Sequence, residues 1–315
     1  MNARSLSAND DSRTNAASAA ADTLDRPGDP QTRAVSLPRR PSRRRFRLGR
    51  GPTVGLVLVC LVVLVALFAP LLAPYPYDQV SFGETLRPPM WVAGGSASHP
   101  LGTDQLGRDL LSRIIFGART SLFVGVGAVL LAGVIGVLAG ICAGYAGGRT
   151  DEAVNRVAEV QLAFPPIFLA IAIMAVIGQS LLNVVLVLGI VSWVQYQRVA
   201  RANTLAVKHN AYVEAARALG ATPGRVLLRH VLPNVLPALV AIATVSVSTM
   251  IMAEAGLSFL GLGIQPPLPA WGGMLADSRD VWEVAPWTPF FPGAAILLTV
   301  LGINLLGAGL TDEAA

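Results

Sequence analysis

Residues 54–73 read VGLVLVCLVVLVALFAPLLA, with no charge and a single proline. As a helix this stretch is about 30 Å long, the thickness of a bilayer's hydrocarbon core. The uncharged region around it runs from 51 to 77, and comparable windows recur down the chain. Ser121–Gly148 is the second. Val160–Gln197 is long enough for two spans, with Gly178-Gln179-Ser180 as the turn between them. Val231–Ala253 is the fifth, and Ala285–Thr311, most helix-like over Ala294–Leu310, is the sixth. Ala255–Ala276 is also uncharged, but Pro266, Pro267 and Pro269 mark it as a loop or re-entrant segment. The expected fold is an all-α polytopic membrane protein with six transmembrane helices over 51–311 and a short tail, 312–315.

Composition agrees. Of 315 residues, 53% are hydrophobic and 14% charged, and mean hydropathy is +0.57. A soluble domain carries about 25% charged residues, so a soluble enzyme with a charged shell is excluded. Cys60 and Cys142 both lie inside apolar runs, where neither a disulfide framework nor a zinc site has the clustered, accessible thiols it needs.

Residues 1–50 are rich in Ser, Ala, Asp and Arg, with few large apolar side chains. Such a segment cannot bury enough surface to offset its ordering entropy, so disorder is expected. It ends in the basic run Arg39-Arg40-Pro41-Ser42-Arg43-Arg44-Arg45-Phe46-Arg47. That run has a faint likeness to a twin-arginine export signal and to a nucleic-acid patch. The long apolar spans that follow favour a signal anchor instead, with membrane lipid and not nucleic acid as the neighbour. With the N-terminus inside, 19 of the 24 basic residues fall on inner segments and 5 on outer ones. The positive-inside rule then puts both termini in the cytoplasm.

Between the fourth and fifth spans lies a polar inner loop, 198–233, with the marks of ordered structure. Tyr212, Ala215, Ala216 and Leu219 recur at helical spacing as a small-residue apolar face. Gly220 stands at a helix C-cap position, and Thr222-Pro223 reads as the N-cap and first residue of a second helix carrying Arg225 and Arg229 before Pro233. The pattern is helix, tight turn, helix. Two uses fit it: an amphipathic hairpin lying on the membrane surface, or an element that docks into a cleft of a soluble partner. Ala215 and Ala216 favour docking, because small side chains allow close backbone approach whereas surface helices prefer Leu, Phe or Trp.

Glu214-Ala215-Ala216, three residues, Gly220, nine residues, then His230-Val231-Leu232-Pro233 resembles the EAA loop of bacterial ABC importer permeases. His230 stands where the general pattern has an aliphatic residue, a variant familiar in the dipeptide, oligopeptide and nickel branch. Three further stretches resemble that branch: His99–Asp109 continuing to Gly117–Ser121, Leu162–Pro165, and Gly256–Gly263 with Gln265-Pro266-Pro267 and Trp271-Gly272. The likeness covers about residues 50–310. It implies a non-catalytic inner-membrane permease subunit for peptides or related small solutes, nickel complexes included. It also implies a homologous second permease, two ATPase subunits and an extracytoplasmic solute-binding protein as partners. Glu214, Ala215, Ala216, Leu219, Gly220, Arg225 and Pro233 would then couple to the ATPase. The chain departs from the family at its end, where Gly307-Ala308-Gly309 has alanine in place of the usual acid.

Other features have local readings. Gly136, Gly140, Gly144 and Gly148 recur every four residues, a stripe that allows close helix packing. Asp104 reads as the N-cap of an external helix bearing Leu106, Leu110 and Ile114. Glu159 and Glu254 sit near span boundaries, where snorkelling or hydrogen bonding to loop backbone competes with a functional role. His99 and His209 have no sequence neighbours that complete a metal site, and neither a metal nor a cofactor is expected. The one lysine, Lys208, is neither preceded by a glycine run nor followed by Ser or Thr, so there is no phosphate-binding P-loop. A gradient-driven transporter would call for buried mid-membrane charges. A membrane enzyme would call for a nucleophile and base at matching depth. The spans offer neither.

Overall fold

The computed structural model describes residues 49–314. The N-terminal segment, with its expected disorder and basic run, lies outside them. Among the described residues the chain is helical, and its one β-bridge pairs Thr103 with Asp109. The helices are α1 (Arg50–Leu67), α2 (Ala69–Leu72), α3 (Leu110–Ala146), α4 (Gly148–Leu162), α5 (Pro166–Ile177) and α6 (Leu181–Val207). Then follow α7 (Ala211–Ala218), α8 (Pro223–Val226), a π turn (Leu227–Val231), α9 (Leu232–Phe259), α10 (Trp271–Asp277) and α11 (Trp287–Ala314). Five of the resulting rods are long and apolar enough to cross a membrane, and the bent pair α4–α5 brings the number to six.

Several boundaries differ from the sequence reading: the first span breaks at Phe68, before α2, and α9 runs on to Phe259 beyond the expected start of the loop at Ala255. The external helix expected after Asp104 and the second span are one unbroken helix, α3. Its N-cap is Asp109, whose carboxylate accepts from the Ser112 amide at 2.7 Å. Asp104 accepts instead from the amides of Leu106 and Arg108 and from the side chains of Arg108 and Arg113, so it closes a loop and starts no helix. The third span does not begin at Val160. A helix already runs from Gly148, stops at Leu162, and turns by 88° into α5. Pro165 and Pro166 impose this corner: a residue before proline is driven out of the helical region, and Pro165 has ψ 132°. Finally, Pro233 does not separate the loop's second helix from the fifth span. Pro223–Phe259 is one rod. The N–H missing at Pro233 is accommodated by the π turn, where the Leu232 amide bonds back five residues to the Leu227 carbonyl.

The turn at Gly178–Ser180 is where the sequence puts it, with Gly178 at φ 83° and the Ser180 hydroxyl capping α6 through the Asn183 amide. The glycine stripe acts within this chain. A Cβ at Gly136 would lie 2.3 Å from the Trp193 carbonyl oxygen, and one at Gly140 would lie 2.4 Å from that of Gln197. Gly144 faces Thr204 and Arg201 in the same way, so α3 and α6 touch backbone to backbone. Gly148 lies past the end of α3 and meets nothing within 4 Å. Val124, Ala128, Val184, Val187, Val231, Val235 and Leu257 extend this contact into the main core.

Candidate functional site

α7 is held against the body by Val213, which is fully buried in the main core along with Val226 of the neighbouring arm. Its opposite side is bare. Glu214, Ala215 and Arg217 are exposed, Ala216 is partly so, and Tyr212 is 46% and Leu219 89% exposed. An apolar side chain so exposed, set at the tip of a hairpin, has no covering partner among the described residues.

The tip is built by a Schellman turn. The Gly220 amide bonds to the Arg217 carbonyl at 2.9 Å and the Ala221 amide to that of Ala216 at 3.0 Å. This closure needs a left-handed residue after the helix cap, and Gly220 supplies φ 82°. Thr222 occupies the N-cap position of α8 but its side chain makes no capping bond; Pro223 begins the helix as the sequence suggests. Of the residues singled out in the sequence, Glu214, Ala215, Leu219 and Gly220 are exposed on α7 and its turn, and Ala216 is partly so. Arg225 is exposed on the other arm. Pro233 stands in the shaft of α9, eight residues beyond Arg225 and about 12 Å along a helix axis.

The sequence reading missed what joins this hairpin to the rest. The Lys208 ammonium donates to the Gly144 carbonyl at 2.9 Å, and the Arg217 guanidinium lies 4.8 Å above the Tyr145 ring. Beside them Arg201 makes a bidentate pair with Asp151, at 2.5 and 2.6 Å, tying α6 to α4. Isolated cations and acids 50 or more residues apart carry no local periodicity, so no sequence pattern announces them.

The other polar residues are accounted for elsewhere in the fold. Contrary to the sequence reading, His99 has ligand-type neighbours. Its Nδ1 is 2.9 Å from Asp109 and its Nε2 is 3.0 Å from Glu84. The two carboxylates lie on opposite sides of the ring, so they do not converge on one point, and no group among the described residues is arranged to hold a metal ion. Glu159 is exposed near Arg156. Glu254 does not snorkel: it is fully buried and accepts from the Ser258 hydroxyl at 2.6 Å. Ser258 is in turn approached by the Ile264 amide at 3.4 Å, so Glu254 reaches the following loop through an intermediary.

The family described as the binding-protein-dependent transport system inner membrane component matches residues 136–312. The N-terminal transmembrane domain of oligopeptide transport permease C matches residues 38–89. The chain is 45% identical to a di/tripeptide transport system permease of Pseudomonas aeruginosa, covering 85% of this chain and 88% of the relative. It is 41% identical to a dipeptide transport system permease of Alkalihalophilus pseudofirmus, covering 91% and 92%. With a glutathione transport system permease of Pectobacterium atrosepticum the identity is 40%, over 89% and 91%. Among solved structures, an inward-facing MetNI methionine ABC transporter superposes with TM-score 0.53 at 20% identity, covering 65% of this chain and 96% of that one. At that identity the likeness is one of fold.

Proposed function

Because this chain belongs to the family of binding-protein-dependent transport system inner membrane components, a family of transport permeases, we propose that α7 and its Gly220 turn are the point where separate ATPase subunits push on it. The chain then forms half of a translocation pathway with a homologous second permease. An extracytoplasmic solute-binding protein delivers cargo, two ATPase subunits bind on the opposite side, and ATP is hydrolysed on those partners alone. The subunit sits in the bacterial inner membrane with both termini cytoplasmic, an orientation supported by its basic residues. The relatives named for peptides and glutathione support a peptide or a small peptide-like solute as cargo.

One observation carries this reading: the outer face of α7, small at Ala215 and Ala216 and apolar at Leu219, stands open while its inner face is buried through Val213. A long continuous helical segment, Pro223–Phe259, runs from the same hairpin through the body, so force on the tip has a path into the membrane. The test is Ala216→Arg in the assembled transporter. Its bulk crowds the docking face without touching the buried side, so the variant should insert normally and lose uptake. Normal uptake by this variant would remove α7 from the coupling role.

A further inference from the structure

α7 is joined to α6 only by the short link Lys208–Asn210, and nothing covalent joins it directly to α3. A push on α7 could therefore pivot at that link and pass to α9 alone. Beside the burial of Val213, two contacts oppose the pivot, and both grip the same end of α3. Lys208, the chain's single lysine, donates to the Gly144 carbonyl at 2.9 Å. Gly144 lies in the last turn of α3, where carbonyls lack helical partners and the helix dipole favours a cation. Arg217, on α7 itself, lies 4.8 Å over the ring of the next residue, Tyr145, in the range of a cation–π contact. Consecutive residues of α3 are thus held by one cation at the start of the link, on the C-cap of α6, and by another on α7 itself.

The α3 end is well placed to receive load. Gly136, Gly140 and Gly144 lock α3 onto α6 backbone to backbone, and the Asp151–Arg201 pair ties the corner after α3 to α6 as well. We propose that Lys208 and Arg217 are positioning residues that make α7 one body with the α3–α6 pair, so that the ATPase stroke moves α3 and α6 together with α9. This deepens the coupling reading and rests on it.

The experiment uses the full complex of both permeases and both ATPase subunits, in a background with Cys60 and Cys142 replaced by Ser. Spin labels at Thr53→Cys on α1 and Ala146→Cys on the α3 end report motion of α3, and a second pair at Thr53→Cys and Gly224→Cys reports motion of the hairpin. Distances are read by pulsed electron resonance without nucleotide and with ATP on hydrolysis-deficient ATPase subunits. With the clamp intact both distances should shift. With Tyr145→Leu and Lys208→Met combined, the hairpin shift should persist and the α3 shift should be lost, and Arg217→Lys should keep both shifts. Tyr145 is half-buried on α3, so this arm separates the clamp from any direct touch of Arg217 on the ATPase. An α3 shift that survives the double substitution would overturn the clamp and leave the docking role of α7 standing. If the ATPase subunits bind but no hairpin shift occurs in the intact complex, or if they do not bind at all, the coupling reading fails and the clamp with it.

Discussion

Gly220 illustrates how a single position can be decided by backbone alone. Its φ of 82° closes the Schellman turn, and there is open space around it, with nothing within 4 Å of a Cβ built there. Substitution is therefore resisted by conformation and not by collision, at about 1–2 kcal/mol for an L-residue in the left-handed region. Gly220→Val should loosen the turn and lower the amount of ATPase subunit recovered in a pulldown. Gly224, equally uncrowded but in ordinary helical conformation in α8, is the matched control: Gly224→Ala should leave recovery unchanged. Equal losses from both would show that the conformation of Gly220 is not what matters. The residue was legible in sequence because a helix stop followed by Thr-Pro has few other meanings. Val213, which anchors the same helix, was not, because one valine gives no hint of which face it turns inward.

Among the elements, the α3–α6 contact has the sharpest requirement. A side chain at Gly140 would meet the Gln197 carbonyl oxygen at 2.4 Å and the Arg201 amide at 3.0 Å, neither of which can rotate away. Gly133, on the same helix, meets nothing within 4 Å. Gly140→Leu should force the helices apart, at about 1–3 kcal/mol or more by overpacking, and reduce both thermal stability in detergent and the yield of monodisperse protein. Gly133→Ala should match the parent in both. If Gly140→Leu melts like the parent, the two helices do not rest on each other's backbones. The four-residue glycine period made close packing readable, yet it did not name the partner helix. It also suggested four contacts where three exist, because Gly147 at φ 65° ends α3 before Gly148. The bend between α4 and α5 was hidden for a related reason. An uncharged window reports hydration preference, whereas Pro165-Pro166 inside it sets direction.

At the scale of the whole molecule, orientation follows from charge bias. The wide loop with His99 and Asp104 and the hairpin with Gly220 should face opposite sides of the membrane. Single cysteines at Ser98, exposed in the first, and at Thr222, exposed in the second, supply the check in a background lacking Cys60 and Cys142. An impermeant maleimide should label Ser98→Cys in right-side-out vesicles and Thr222→Cys only in inverted ones. Labelling of both from one side would break the topology. The expectation rests on a bias summed over many residues, so it does not change with local differences such as the merging of an external helix with α3.

The sequence by itself determined what short-range physics can encode: which stretches prefer lipid to water, where tight turns such as Gly178–Ser180 and Gly220 fall, and that a glycine stripe leaves room for a neighbour. Those properties reside in consecutive residues and do not depend on what lies across the fold. Tertiary structure alone decided the pairings: Lys208 with Gly144, 64 residues apart, Arg201 with Asp151, 50 apart, and Arg217 with Tyr145. A charge can be satisfied by any opposite charge, ring or carbonyl that comes within reach. Which one does so is fixed only when the packed helices bring distant positions together.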